Sequence, residues 1–287
     1  MLPIAYGILT SLCFAAGSLL AQRGFHSALT PWGAWITVAV NTVFLFAFHF
    51  VLYSETSLFI AENLVFVMIG LFVPGLTRVL TFRGIRTVGS TITSTIVNTT
   101  PMFSTLLAMS LLGERPGRLV LFGGFLIVAG LIIVSWVGEQ RLWNRMELVY
   151  PFSAVFLFAT KDVTVRWGLA GGGQPILAAA IAALTSTVEI YVLTRYLQGV
   201  KFSPPARAAA CWFVASGIFT GASFLFMYLA LSMERVSTIA PLINSYAVFV
   251  LVLTPLMARR IEIITWRKAL GAALVVAGIF LISFGRE

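Results

Sequence analysis

Residues 122–135 read FGGFLIVAGLIIVS, and about 148 positions later residues 270–283 read LGAALVVAGIFLIS. Gly123 falls over Gly271, Gly130 over Gly278, and Val-Ala-Gly over Val-Ala-Gly. Both stretches are apolar runs of the kind that crosses a bilayer. The register continues backwards without a gap, setting Glu114 over Glu262 and Val88 over Val236, so the duplicated unit is a block of several helices.

Further out, the fronts of the two halves match at an offset of about 144. Tyr6 meets Tyr150, Phe14-Ala15 meets Phe158-Ala159, Gly24 meets Gly168, Pro31 meets Pro175 and Ala34 meets Ala178. Between these blocks the pattern FVxxGxF recurs at 66–72 and 213–219. The drift in offset is what small loop insertions produce. The halves join in the polar stretch 138–145, dividing the chain into repeats 1–142 and 143–287.

Hydrophobic residues make up 59% of the 287 and charged residues 10%. A water-soluble domain of this length needs far more surface charge, so the chain is an all-α polytopic membrane protein. Apolar stretches of roughly 20 residues fall at 3–22, 32–53, 64–84, 88–112, 117–138, 147–169, 175–197, 207–231, 236–258 and 265–284, five in each repeat. Short links such as Gly171-Gly172-Gly173, Ser203-Pro204-Pro205 and Arg115-Pro116-Gly117 separate them. The first stretch has no Lys or Arg before it and aligns with an internal helix, so it reads as a permanent span rather than a leader.

The formal charge of +9 comes without a basic stripe interleaved with aromatics, which argues against nucleic acid as a partner. Basic residues instead orient membrane proteins. Links after spans one, three, five, seven and nine hold twelve: Arg23, Arg83, Arg86, Arg141, Arg145, Arg195, Lys201, Arg207, Arg259, Arg260, Arg267 and Lys268. The opposite side, with the termini, holds five: Arg115, Arg118, Arg166, Arg235 and Arg286. That excess puts both termini outside the cytoplasm. The expected location is a plasma membrane of the bacterial inner-membrane type.

An odd number of spans per repeat forces the two halves to insert upside down relative to each other. Similar, oppositely inserted halves can exchange conformations and open one central site to each side in turn. The alternatives are a duplicated membrane scaffold and an intramembrane enzyme. Against an enzyme, the chain carries no phosphate loop, nucleophile elbow or zinc-protease helix. His26 and His49 lie apart from any Cys or carboxylate at ligand spacing, so no metal is expected, and no cofactor. Uphill movement would then draw on protons, another ion gradient or exchange. Cys13 and Cys211 both fall inside spans and read as small apolar residues.

The two five-helix halves, the segment 101–114 (PMFSTLLAMSLLGE) with Gly123 and Val128-Ala129-Gly130, and its echo at Glu262, Gly271 and Val276-Ala277-Gly278 carry a resemblance. Over essentially its whole length the chain resembles a ten-helix member of the drug/metabolite transporter superfamily, EamA family. The second half departs from the pattern, with Phe249 where the first has Pro101. The resemblance implies a transporter of amino acids, other metabolites or drugs, with both termini in the cytoplasm, against the charge count.

Ionisable residues deep in a bilayer cost at least about 2.5–3.5 kcal/mol each, so each needs a partner or a wet cavity. Four stand out: Lys161 and Asp162 in span six, Arg78 in span three and Glu189 in span seven. They read either as substrate or coupling residues or as ion pairs that only fix packing, Arg78 with Glu189 among them. Lys161 and Asp162 point about 100° apart, so one is expected to line a cavity while the other turns to a second helix. They align with Gly17 and Ser18, so the charges break the symmetry of the repeat. Lys161 and Arg78 suit an anionic group; Asp162 or Glu189 suits an amine or a coupling proton.

Uncharged polar residues cluster at the same level, as Asn98-Thr99-Thr100-Pro101 and Asn244-Ser245-Tyr246. Asn98, Thr100, Asn244 and Tyr246 line a cavity or pack helices, and Pro101 frees a carbonyl near Val97 and kinks span four. Tyr6 and Tyr150, equivalent in the two halves, are the other aromatic candidates. Trp32, Trp35, Trp136, Trp143, Trp167, Trp212 and Trp266 fall near span ends and read as interfacial belts. The glycine faces of spans five and ten read as packing surface or a homodimer contact. Glu114 and Glu262 read as helix caps or loop anchors.

The expected function is a secondary transporter of small organic solutes, an exporter of amino acids or related metabolites, with a multidrug or cation exporter as the alternative.

Overall fold

The computed structural model describes residues 1–28, 30, 32–53, 63–135, 145–197, 199–257 and 266–285. Among these the first half folds as α1 (Leu2–Ser27), α2 (Trp32–Leu52), α3 (Asn63–Phe72), α4 (Gly75–Val88), α5 (Ser90–Val97), α6 (Thr100–Leu111) and α7 (Arg118–Ser135). The second half folds as α8 (Val149–Ala170), α9 (Pro175–Val192), α10 (Arg207–Met233), α11 (Val236–Ile243), α12 (Tyr246–Met257) and α13 (Trp266–Phe284). No strand occurs among the described residues.

Seven helical segments are long and apolar enough to cross a membrane: 2–27, 32–52, 63–88, 146–170, 175–196, 207–233 and 236–254. The 18 residues of α7 rise only about 27 Å, still close to the roughly 30 Å hydrocarbon core. Three of the expected spans are not continuous helices. The third breaks between α3 and α4, the fourth between α5 and α6, and the ninth between α11 and α12. The kink expected at Pro101 is therefore a full break just before it. Pro101 sits in the first turn of α6, where its missing N–H has no partner to lose.

In hydrocarbon every carbonyl freed by such a break must find a donor nearby. Polar side chains at the breaks supply the donor to Val97 O and add a second one to Ile96 O, Ala240 O and Leu242 O, which also accept a backbone N–H. Thr99 Oγ1 donates to Ile96 O at 2.6 Å and Thr100 Oγ1 to Val97 O at 2.6 Å. At the ninth span Asn244 Nδ2 donates to Ala240 O at 2.8 Å and Ser245 Oγ to Leu242 O at 2.7 Å. The third break is served from a neighbouring helix: the Ser186 hydroxyl of α9 lies 3.0 Å from Gly70 O and 2.9 Å from Val73 O.

The duplicated glycine helices pack on each other. A Cβ on Gly123 would meet Gly278 O at 2.7 Å, and one on Gly278 would meet Gly123 O at 2.5 Å. Gly130 and Gly271 repeat the relation at 2.5 and 2.7 Å. Since 123 faces 278 while 130 faces 271, α7 and α13 run antiparallel, and equivalent residues swap places across a two-fold axis. The repeats are inverted. The glycine faces that read as packing surface or a homodimer contact are thus occupied within the chain.

The recurring FVxxGxF pattern obeys the same axis. A Cβ on Gly168 would fall 2.8 Å from the Phe66 ring, and one on its equivalent Gly24 would fall 2.6 Å from Phe213. Each repeat thereby buries its phenylalanine against a bare backbone of the other. Likewise α1 packs on α10, α11 and α12, while α8 packs on α3, α4 and α6. The halves interlock rather than abut.

Glu114, at the end of the first repeat's α6, caps α11 of the second. Its carboxylate accepts from Val236 N at 2.8 Å, Ser237 N at 3.0 Å and Ser237 Oγ at 2.7 Å, where the helix dipole favours negative charge. Glu262, Trp136, Trp143 and the join of the repeats lie outside the described residues.

Trp32 corrects the interfacial reading. Its side chain is buried, with its ring 5.9, 5.5 and 5.1 Å from those of Trp35, Tyr191 and Phe202. Its indole donates to Lys201 O at 3.0 Å, so the ring anchors the link before α10 instead of facing lipid headgroups. Trp167 and Trp266 are exposed, as an interfacial ring would be. Arg23 lies over Trp212 at 5.0 Å.

Candidate functional site

Between the two halves lies a cavity of about 550 Å³, walled by α1, α2, α4, α8, α9 and α10 and by residues flanking the breaks of spans four and nine. The helix breaks contribute to its polarity, because the residues that flank them bring hydroxyls and, at the ninth span, an amide to the lining. Thr100 lines it from the fourth span, Asn244 and Tyr246 from the ninth, and Pro74, Thr77 and Thr81 from the third.

The repeat is visible in its walls. Phe14 and its equivalent Phe158 both line the cavity, as do Gly17 with Lys161 and Ser18 with Asp162. Positions aligned in sequence thus come together in space, and at two of them only the second half carries charge.

Lys161 and Asp162 pair with each other, Nζ to Oδ1 at 2.8 Å. Adjacent positions on a helix diverge, but the four-carbon lysine stem is long enough to fold back. The side chains are 13% and 2% exposed, so both charges have been taken out of water and into this pair. Asp162 also turns to a second helix, where Ser104 of α6 donates to its Oδ2 at 2.8 Å. The Lys161 ammonium lies 3.6 Å from Met227 Sδ on α10. Both residues line the cavity. Nearby on α10, the Tyr228 hydroxyl is buried with no hydrogen-bond partner among the described residues.

Of the other residues singled out by sequence, several serve elsewhere. Glu189 lies apart from the cavity lining: its carboxylate accepts from the backbone amides of Gly75 and Leu76 at the start of α4. Arg78 sits one turn along α4, and its side chain lies outside the described residues. Asn98 donates to Leu131 O of α7 at 3.3 Å, and Pro101 faces a smaller groove beside α7. Tyr6 stacks on Phe226 at 5.7 Å, and Tyr150 lies under Arg83 at 5.8 Å.

Uncharged lining residues were missed. Thr10, Phe14, Gly17, Ser18, Ala21, Gln22 and Phe25 all face the cavity from α1. Their spacing of three or four residues marks one helix face, which a search for polar residues at that period could have found. Asn41 of α2 also lines the space, and its amide oxygen is buried with no partner among the described residues.

An apolar bundle of two inverted repeats around a central, partly charged cavity defines a membrane transporter. The EamA-like transporter family profile matches twice, at residues 1–136 and 145–284, and the chain belongs to that family. A solved crystal structure aligns with 98% of this chain and 96% of its own at a TM-score of 0.80 and 14% identity, a likeness of fold. A search of proteins with curated functions gives no match.

Proposed function

We propose that the chain is a secondary active exporter of amino acids or closely related metabolites. It works by rocking of its inverted halves about the central cavity. The observation that carries this reading is the placement of Lys161 and Asp162 in a cavity to which both repeats contribute equivalent positions. A zwitterion has a complement for each of its charges there. Driving energy comes from a proton or other ion gradient, or from exchange. The Lys161–Asp162 pair weighs against the multidrug or cation reading, since the carboxylate that would hold a cation is already neutralised.

The cavity reaches further toward one face than the other. Along α1 its lining runs from Thr10 to Phe25, stopping about 12 Å of rise after the start of the helix and about 3 Å before its end. The near face carries Arg23, Arg83 and Arg207. By the positive-inside rule that face is cytoplasmic, both termini are outside, and this conformation faces inward.

Protein reconstituted in liposomes and loaded with labelled amino acids tests the reading. Gradient-dependent efflux, abolished by Lys161→Met and Asp162→Asn together, is the expected result. No movement of any amino acid under an imposed proton, sodium or exchange gradient would leave the scaffold reading standing.

A further inference from the structure

We infer that the Lys161–Asp162 pair makes the cavity selective for solutes of zero net charge, with Lys161 and Asp162 as specificity-determining residues of opposite sign. This inference rests on the amino-acid reading above and adds a rule for which amino-acid derivatives enter. Among the described cavity-lining residues these two carry the only side chains charged at neutral pH. At 2.8 Å they cancel. Summed over the described lining residues, the empty cavity is therefore neutral, and each class of solute changes that balance differently. A carboxylate entering alone leaves the site with a net negative charge at membrane depth, and an amine entering alone leaves a net positive one. Both conditions are strongly disfavoured in such surroundings. A zwitterion exchanges one neutral arrangement for another.

The surrounding groups fit that exchange. Asp162 is held by Ser104 at 2.8 Å, so its orientation survives when Lys161 swings away. Among the described residues the ammonium's other hydrogen-bond contact is the weak acceptor Met227 Sδ at 3.6 Å, which leaves the lysine free to turn to an incoming carboxylate. Asn41 lines the same cavity from α2, and its amide oxygen has no hydrogen-bond partner among the described residues. A neutral polar partner there adds a hydrogen bond without altering the charge count. The rings of Phe14, Phe158 and Phe224 leave room for an apolar side chain.

The test uses leucine, leucinamide and N-acetylleucine as zwitterion, cation and anion with one side chain, with equilibrium binding to purified full-length protein at pH 6.5. Wild type is expected to favour leucine over both others by at least about tenfold. Lys161→Met, which leaves Asp162 alone, shifts preference to leucinamide. Asp162→Asn, which keeps the shape and the Ser104 bond, shifts it to N-acetylleucine. The double variant is neutral like wild type, so it keeps the order of preference but binds leucine more weakly, having lost the complement to each of its charges. If one single variant fails to elute as a folded protein, the other single variant against wild type carries the comparison. Leucine binding by wild type with the same order of preference in every folded single variant overturns the charge rule alone. Binding of none of the three by wild type overturns the amino-acid reading and the charge rule with it.

Discussion

The carboxylate of Glu189 rests on the Cα of Gly75, bonding the amides of Gly75 and Leu76 where α4 begins. One turn earlier on α9, Ser186 lies within hydrogen-bond distance of Gly70 O and Val73 O, where α3 ends. One face of α9 thus clamps both sides of the break in the third span, with an acceptor for the freed amides and a donor for the freed carbonyls. The clamp positions Pro74, Thr77 and Thr81, which line the cavity. Any Cβ at position 75 would displace the carboxylate. Gly75→Ala is expected to cost about 1–2 kcal/mol, the scale of a lost helix cap. Glu189→Ala is expected to cost a similar amount, and the double variant little more than either, because both remove one interaction. Thermal unfolding of the four proteins in detergent checks this. Additive losses would separate the two residues.

The crossing of α7 and α13 admits no side chain at four positions. Gly123, Gly130, Gly271 and Gly278 each face a backbone carbonyl of the partner helix, which cannot rotate aside. Leucine at any of them forces the helices apart and forfeits their dispersion contacts, with a loss of about 1–3 kcal/mol for overpacking. Gly124 supplies the control: a Cβ there would meet Pro241 Cγ at an ordinary 3.4 Å. Gly124→Ala is expected to keep the wild-type yield of monodisperse protein, and Gly123→Leu to lose most of it.

Thr100 both lines the cavity and satisfies the Val97 carbonyl at 2.6 Å. Thr100→Val keeps the shape and leaves that carbonyl bare. The expected loss is about 0.6 kcal/mol, the average for side-chain hydrogen bonds in a membrane helix bundle, and at most about 1.7 kcal/mol. Thr100→Ser retains the hydroxyl and is expected to recover the melting temperature. Equal melting temperatures for valine and serine would mean that water already serves Val97.

The repeats were legible because apolar length and glycine spacing survive in a single sequence, and Lys161 and Asp162 stood out because charge is rare at membrane depth. What could not be read depends on partners far along the chain. Pro74-Gly75 is a local sign of the break in the third span, but the groups that hold its two ends, Ser186 and Glu189, lie more than a hundred residues later. Glu189 was noticed for its charge, yet its visible use is a backbone cap. Pro101 drew attention as a kink, but the hydroxyls of Thr99 and Thr100 satisfy the carbonyls at the break. Gln22 and Asn41 passed unnoticed because uncharged polar side chains in an apolar span signal packing as often as solvent.

Sidedness can be tested without knowing the solute. Gln22 and Phe25 line the cavity close to the end of α1, whereas at its start Tyr6 stacks on Phe226 and the Ser11 hydroxyl bonds Leu242 O. The cavity is therefore closed by packed helices on the side of the termini. In a background with Cys13 and Cys211 replaced by serine, cysteines at Gln22 and Thr81 are expected to react with a membrane-impermeant maleimide. Reaction should occur in inside-out vesicles and be several-fold slower in right-side-out ones. A cysteine at Thr10, deeper and buried, should react slowest from either side. Faster labelling of Gln22→Cys and Thr81→Cys in right-side-out vesicles would reverse the orientation taken from the basic links, placing both termini in the cytoplasm. Equal labelling from both sides would instead indicate a population already divided between the two conformations, and the minor fraction should then grow when a transported solute is added on one side.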